Sequence, residues 1–216
     1  MQGLLARKIG QTEIFDDQGV QIHVTVLQVG PCVVVQRKNA ARDGYEAVQL
    51  GFEEQKESRL TKPEQGHFKK QGVSPRRVLR EFRLDPGEDL KAGDSLTVSI
   101  FDGVSHVDVI GLTKGKGFQG VVRRHGMMGG GAAHGSMMHR RIGAIGNRTW
   151  PARVFKNKRM PGHMGNVRMT VQNLKVAQVR LEDNVLLVRG AVPGPVGALL
   201  VVRKALKKTA KAATKS

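Results

Sequence analysis

The chain has 216 residues, and with 39% of them hydrophobic it can bury a real core, which excludes a bare polycation. Thirty-six Lys and Arg against 18 Asp and Glu give a formal charge of +18 and point to a polyanionic partner. Aromatic residues make up only 4%, with one Trp and one Tyr, so a base-stacking sheet has little to work with and phosphate and shape contacts are expected instead.

Residues 1–8 carry no apolar h-region, and no later run approaches the ~18 apolar residues of a membrane span. A soluble, cytoplasmic protein with no membrane partner is therefore expected. Strands are expected at residues 21–29, 32–38 and 45–52, rich in Val, Ile and Leu, with turns at 16–19 and 41–44. Cys32, set among valines, is the only cysteine and lacks the neighbours of a zinc site, which predicts a buried inert thiol. The polar stretch 58–76, with Pro63, Gly66 and Gly72, predicts a small, partly helical insertion. Strands are then expected at 77–82, 96–101 and 104–110.

After a long basic stretch, residues 167–171, 174–179, 185–188 and 198–202 again have β character, with a turn at 182–184. The fold class expected is mainly β: a closed β-barrel or Greek-key sheet begun by residues 1–110 and completed by 167–206. Residues 207–216, composed of Lys, Ala, Thr and Ser, predict a disordered basic tail.

The two halves differ sharply in charge. Residues 1–108 carry 15 basic and 16 acidic side chains; residues 109–216 carry 21 and two. From 109 to 181 there is no Asp or Glu, yet there are 14 Lys or Arg and four of the seven histidines. Residues 111–165 hold 13 of the 27 glycines and cannot make a core of their own. Irregular insertions longer than ~15 residues are usually functional or disordered. The expected element is an extended glycine-rich arm over 111–166, whose two limbs of about 25 residues at ~3.3 Å each could reach roughly 80 Å.

Such an arm suits structured RNA, because glycine lets the main chain approach a phosphate and arginine supplies forked contacts. The candidate RNA-binding residues are Lys114, Lys116, Arg123, Arg124, His125, His134, His139, Arg140, Arg141, Arg148, Trp150, Arg153, Lys156, Lys158, Arg159, His163 and Arg168. Trp150 would stack on a base or pack at the arm's base, and the pairs Met127–Met128 and Met137–Met138 would fill irregular cavities. A general DNA-binding or chromatin-type protein is the alternative.

Enzymatic readings fail on the residues. Gly115-Lys116-Gly117-Phe118-Gln119-Gly120 matches G-x-G-x-x-G, but no acid follows before Glu182 to take a ribose, and no kinase catalytic loop is present. The histidines have no regular spacing, and adjacent arginines would repel a metal ion. No cofactor, metal, small-molecule substrate or catalytic site is expected.

Phe101, Asp108, Gly111, Thr113, Gly115-Lys116-Gly117, Gly120 and Arg124 stand at the spacing of a signature that resembles universal large-subunit ribosomal protein three, bacterial type. The likeness continues through Arg153-Val154-Phe155-Lys156, residues 160–166 and residues 186–194, and covers nearly the whole chain. The resemblance implies a structural constituent of the large ribosomal subunit with a barrel like that of translation elongation factors. It also implies direct binding of 23S ribosomal RNA early in assembly, near its three-prime end, with the arm directed toward the peptidyl transferase centre. Neighbouring large-subunit ribosomal proteins would contact the globular part. Many bacterial members carry a methylated glutamine in the arm; the matching position here is Asn147, which makes modification doubtful.

Overall fold

The computed structural model describes residues 3–208, so residues 209–216 of the expected basic tail lie outside the described residues. The chain divides into two compact units, Met1–Leu112 with Arg168–Ser216, and Thr113–Val167. In the first unit the order is β1 (Gly3–Phe15), β2 (Gln21–Val29), β3 (Cys32–Lys38), α1 (Ala40–Asp43), β4 (Ala47–Glu54), α2 (Lys62–Gln71), β5 (Arg76–Arg83), β6 (Ser95–Leu96) and β7 (His106–Leu112). The second unit contributes β8 (Gly117–Gln119), α3 (Val121–His125) and β9 (Gly162–Met164); the first resumes with β10 (Arg168–Arg180), β11 (Val185–Arg189) and β12 (Leu199–Lys204). The protein is mainly β with few helices.

Six strands pair antiparallel in the cyclic order β1, β12, β7, β10, β11, β2 and back to β1, so each has a neighbour on both sides. Cyclic pairing satisfies every ladder and leaves no edge to be covered. It also joins distant parts of the chain: Leu4 lies opposite Val202, and Val202 opposite Val109. The remaining strands form a second sheet in the order β5, β4, β3, β6. The excursion between β2 and β7 is thus a sheet with α2 attached, larger than the insertion expected at 58–76. α2 starts with the Thr61 N–H and hydroxyl both donating to the Glu64 carboxylate at 2.9 Å, and it ends at Gly72 in the left-handed region.

One hydrophobic cluster serves both sheets. Leu4, Leu5, Leu27 and Leu186 from the ring are fully buried with Val34, Leu50 and Phe101 from the excursion. Cys32 belongs to this cluster, and burial pushes its thiol up to about 11, as suits an inert group. The Arg7 fork on Glu53, at 2.5 and 2.6 Å, ties β1 to β4. Asp108, 2% exposed on β7, accepts the Asn173 N–H at 2.9 Å and faces Arg203 at 3.5 Å.

Several expectations are corrected. β1, with 13 residues, is a full strand that the sequence pattern did not suggest. The strand expected at 96–101 is only Ser95–Leu96, followed by a 3-10 turn over Val98–Phe101. There Val98 and Phe101 are both buried, as the three-residue period of that helix requires. The two strands expected at 167–171 and 174–179 are one, β10, with a register shift between Val171 and Leu174 where Asn173 adopts a φ of 57°. The turn expected at 41–44 is the short helix α1 closed by Gly44.

Candidate nucleic-acid interface

Within the unit Thr113–Val167 the two limbs are joined at a root made of main-chain bonds. Thr113 N–H donates to the Val167 carbonyl at 3.0 Å, and Asn166 N–H to Thr113 at 3.2 Å. Lys116 N–H donates to Met164 at 2.9 Å, and β8 and β9 pair from Gly117 opposite Met164 to Gln119 opposite Gly162. Gly165, with a φ of 77°, can close this ladder only because it lacks a Cβ, which would collide with the Lys114 carbonyl oxygen.

α3 follows the root, packs Val121 inward as the only buried side chain of this unit, and ends at Gly126 in the left-handed region. Two of its side chains reach back across the limbs to one acceptor. Arg124 Nη1 donates to the Met160 carbonyl at 2.7 Å, and His125 Nε2 lies 3.0 Å from the same oxygen. Beyond them, residues 126–161 contain no helix or strand. One local tie is the bond from Gly130 N–H to the His139 carbonyl at 2.7 Å. At Gly129 next door a Cβ would come within 2.5 Å of that same carbonyl oxygen. Gly129 and Gly165 therefore serve chain-on-chain approach, whereas Gly117, Gly120, Gly126 and Gly135 have open space where a Cβ would stand.

The candidate residues fall into two groups. Lys114, Lys116, Arg123, His134, His139, Arg140, Arg141, Arg148, Trp150, Arg153, Lys156, Lys158, Arg159 and His163 are exposed, as is Arg168 at the start of β10. Arg124 and His125 alone are half-buried. Among the exposed set, Arg123 approaches Gln119 at 3.4 Å and Arg153 lies 5.9 Å from the Phe155 ring. Trp150 is 85% exposed, and Phe118, Met128 and Met137 are exposed with it. Asn147 is exposed.

An acid-free surface of this kind holds unpaired cations beside uncovered apolar groups, which is the chemistry of a ligand that brings phosphates and stacked bases. Thr113, Gln119 and Gly165, which build the root, were missed as functional positions; a φ above zero leaves no mark that distinguishes Gly165 from the arm's other glycines. Among the described residues, no group of three or more His, Cys, Asp or Glu could hold a metal ion, and no helix is long and apolar enough to cross a membrane.

The family model for ribosomal protein L3 matches residues 88–183. The large ribosomal subunit protein uL3 of Alkaliphilus metalliredigens is 49% identical over 207 residues, covering 96% of this chain and 99% of that protein. The chain belongs to the uL3 family. The uL3 of Heliobacterium modesticaldum is 50% identical, covering 95% of this chain and 98% of that protein. The uL3 of Corynebacterium jeikeium is 51% identical, covering 96% and 95%. uL3 is a family of ribosomal proteins and not of enzymes, and the G-x-G-x-x-G match lacks the structural setting of a dinucleotide fingerprint. In the structure its residues 117–119 are strand β8, and the helix after it has only five residues.

Proposed function

We propose that this protein is a structural constituent of the large ribosomal subunit that binds 23S ribosomal RNA directly through the unit Thr113–Val167. The observation that carries the reading is an acid-free unit with 11 exposed or half-exposed Lys and Arg and one buried residue. Such a unit cannot neutralise its own charge or cover its own apolar groups, and folded RNA supplies both needs. The six-stranded ring is a closed barrel of the translation elongation factor type. It takes its place on the cytoplasmic ribosome among neighbouring large-subunit proteins, while the arm runs toward the peptidyl transferase centre. Binding is early in assembly, because an arm that threads between RNA helices must enter before they close over it.

Titrating a large-subunit RNA fragment against salt tests the reading. If ~8 phosphates are neutralised, log affinity falls with log salt at a slope near −6, and duplex DNA of equal length binds far more weakly. Replacing Arg140 and Arg141 by Ala lowers RNA affinity while the melting temperature stays put. A slope near zero, or equal affinity for DNA, defeats the proposal.

A further inference from the structure

We infer that Arg124 and His125 are positioning residues for RNA binding: they clamp the two limbs of the arm through the Met160 carbonyl and do not themselves neutralise phosphate. The inference rests on the arm binding RNA as proposed above and divides the candidate residues by role. Two donors converge on one oxygen, from Arg124 Nη1 at 2.7 Å and His125 Nε2 at 3.0 Å, across 36 and 35 residues of chain. Both side chains are half-buried where the other fifteen candidates are exposed. A guanidinium whose fork is turned inward onto a main-chain carbonyl is poorly presented to a phosphate. The clamp lies where regular structure ends, at the last two residues of α3 on one limb and two residues before β9 on the other. Its effect is to hold residues 126–161 in one relative path, so that Arg140, Arg141, Arg148 and Lys158 meet their phosphates together without first ordering the limbs.

Gly162 offers an independent handle. A Cβ there would come 2.7 Å from Arg124 Nη1, the far end of a flexible side chain, so Gly162→Ala displaces the guanidinium at little other cost and removes no charge.

The experiment measures RNA affinity of the full chain across salt for Arg124→Ala, Gly162→Ala, His125→Ala, His125→Gln and, as the phosphate-contact control, Arg140→Ala. The first three variants are expected to lose about tenfold in affinity at every salt concentration with the wild-type slope kept. His125→Gln retains a donor near the Nε2 position without any charge and is expected to recover most of the loss. Arg140→Ala is expected to flatten the slope by ~0.7 to 0.9. Hydrogen exchange supplies the second readout: the β8 and β9 amides exchange faster in Arg124→Ala and Gly162→Ala, and not in Arg140→Ala. A slope flattened by Arg124→Ala as by Arg140→Ala, or Gly162→Ala binding like wild type, overturns the clamp. Failure of the wild type to bind RNA overturns the function itself, a distinct outcome.

Discussion

The two units of this protein are stabilised by different physics. Met1–Leu112 with Arg168–Ser216 carries the remaining 25 of the 36 basic side chains against all 18 acids, and it buries the entire hydrophobic cluster. Thr113–Val167 carries 11 basic side chains, no acid and a single buried residue. The first unit removes apolar surface from water and pairs its charges internally, as Arg7 does with Glu53 and Asp108 with Arg203. The second relies on main-chain bonds between its limbs and leaves cations and aromatic faces uncovered. A region that cannot satisfy itself is built to be completed by something else, and the signs of its charges say what that is.

The most forceful way to break this contrast is to remove the arm. Leu112 and Arg168 lie directly opposite each other on β7 and β10, so a short Gly-Ser link replacing Thr113–Val167 makes an ordinary hairpin. The truncated chain is expected to keep its β circular dichroism and a cooperative melt while affinity for large-subunit RNA drops on the order of a thousandfold. An unfolded product would mean that the arm belongs to the core. Next in size is a cavity in the shared cluster. Phe101→Ala is expected to cost about 3–5 kcal/mol in denaturant unfolding, whereas Met128→Ala, at a side chain 99% exposed, changes stability by no more than ~0.5 kcal/mol.

The same contrast decides what was legible in the sequence. β2 and β3 follow from runs of Val, Ile and Leu bounded by turn residues, and their bounds agree with the structure at 21–29 and 32–38. β1 was not legible because it buries Leu4, Leu5 and Ala6 in succession and then runs exposed, with a register shift between Lys8 and Gly10, so no two-residue alternation survives. The apolar spacing of Leu96, Val98 and Ile100 suits a strand, yet Val98 and Phe101 serve a 3-10 turn; a tertiary cluster chose between two periods the sequence allowed. The arm was legible by counting charges. What counting cannot tell is that Arg124 and Arg140 differ, since the partner of Arg124 is a carbonyl 36 residues away.

Asp108 sharpens the comparison from the acidic side, because it is the last acid before the arm and works wholly inside the fold. Its carboxylate takes the Asn173 N–H at the β10 bulge and faces Arg203, both on neighbouring strands of the ring. Asp108→Ala strands a half-buried donor and a half-buried guanidinium, and is expected to cost about 2–3 kcal/mol. RNA affinity measured well below the melting temperature should be unchanged. Asp108→Asn, which keeps an acceptor for the Asn173 N–H, should recover part of the loss.

The smallest expected effect concerns an ion pair on the second sheet, and it tests whether charges in the globular unit are paired among themselves. Lys38 Nζ lies 2.7 Å from Glu81 and donates to the Tyr45 hydroxyl at 2.9 Å, which in turn donates to Glu81 at 2.9 Å. The hydrogen bond from Lys38, then that from Tyr45, holds the Glu81 carboxyl below the ordinary carboxylate range, and the bonds to Glu81 and Tyr45 raise the Lys38 ammonium above its own. A depressed carboxyl contributes stability that is present above its unfolded value and lost as pH falls through its folded value. A raised ammonium contributes stability that is present below its unfolded value and lost only as pH climbs through the folded one. The stability difference between wild type and Glu81→Gln should therefore be constant around neutrality, fade on the acid side below the ordinary carboxylate range, and persist past the ordinary lysine range. Because both side chains are partly exposed, the difference should be small and shrink in high salt. A difference that is flat down to the most acid pH at which the chain still folds would show that this pair does not hold its charges in the manner argued for the globular unit.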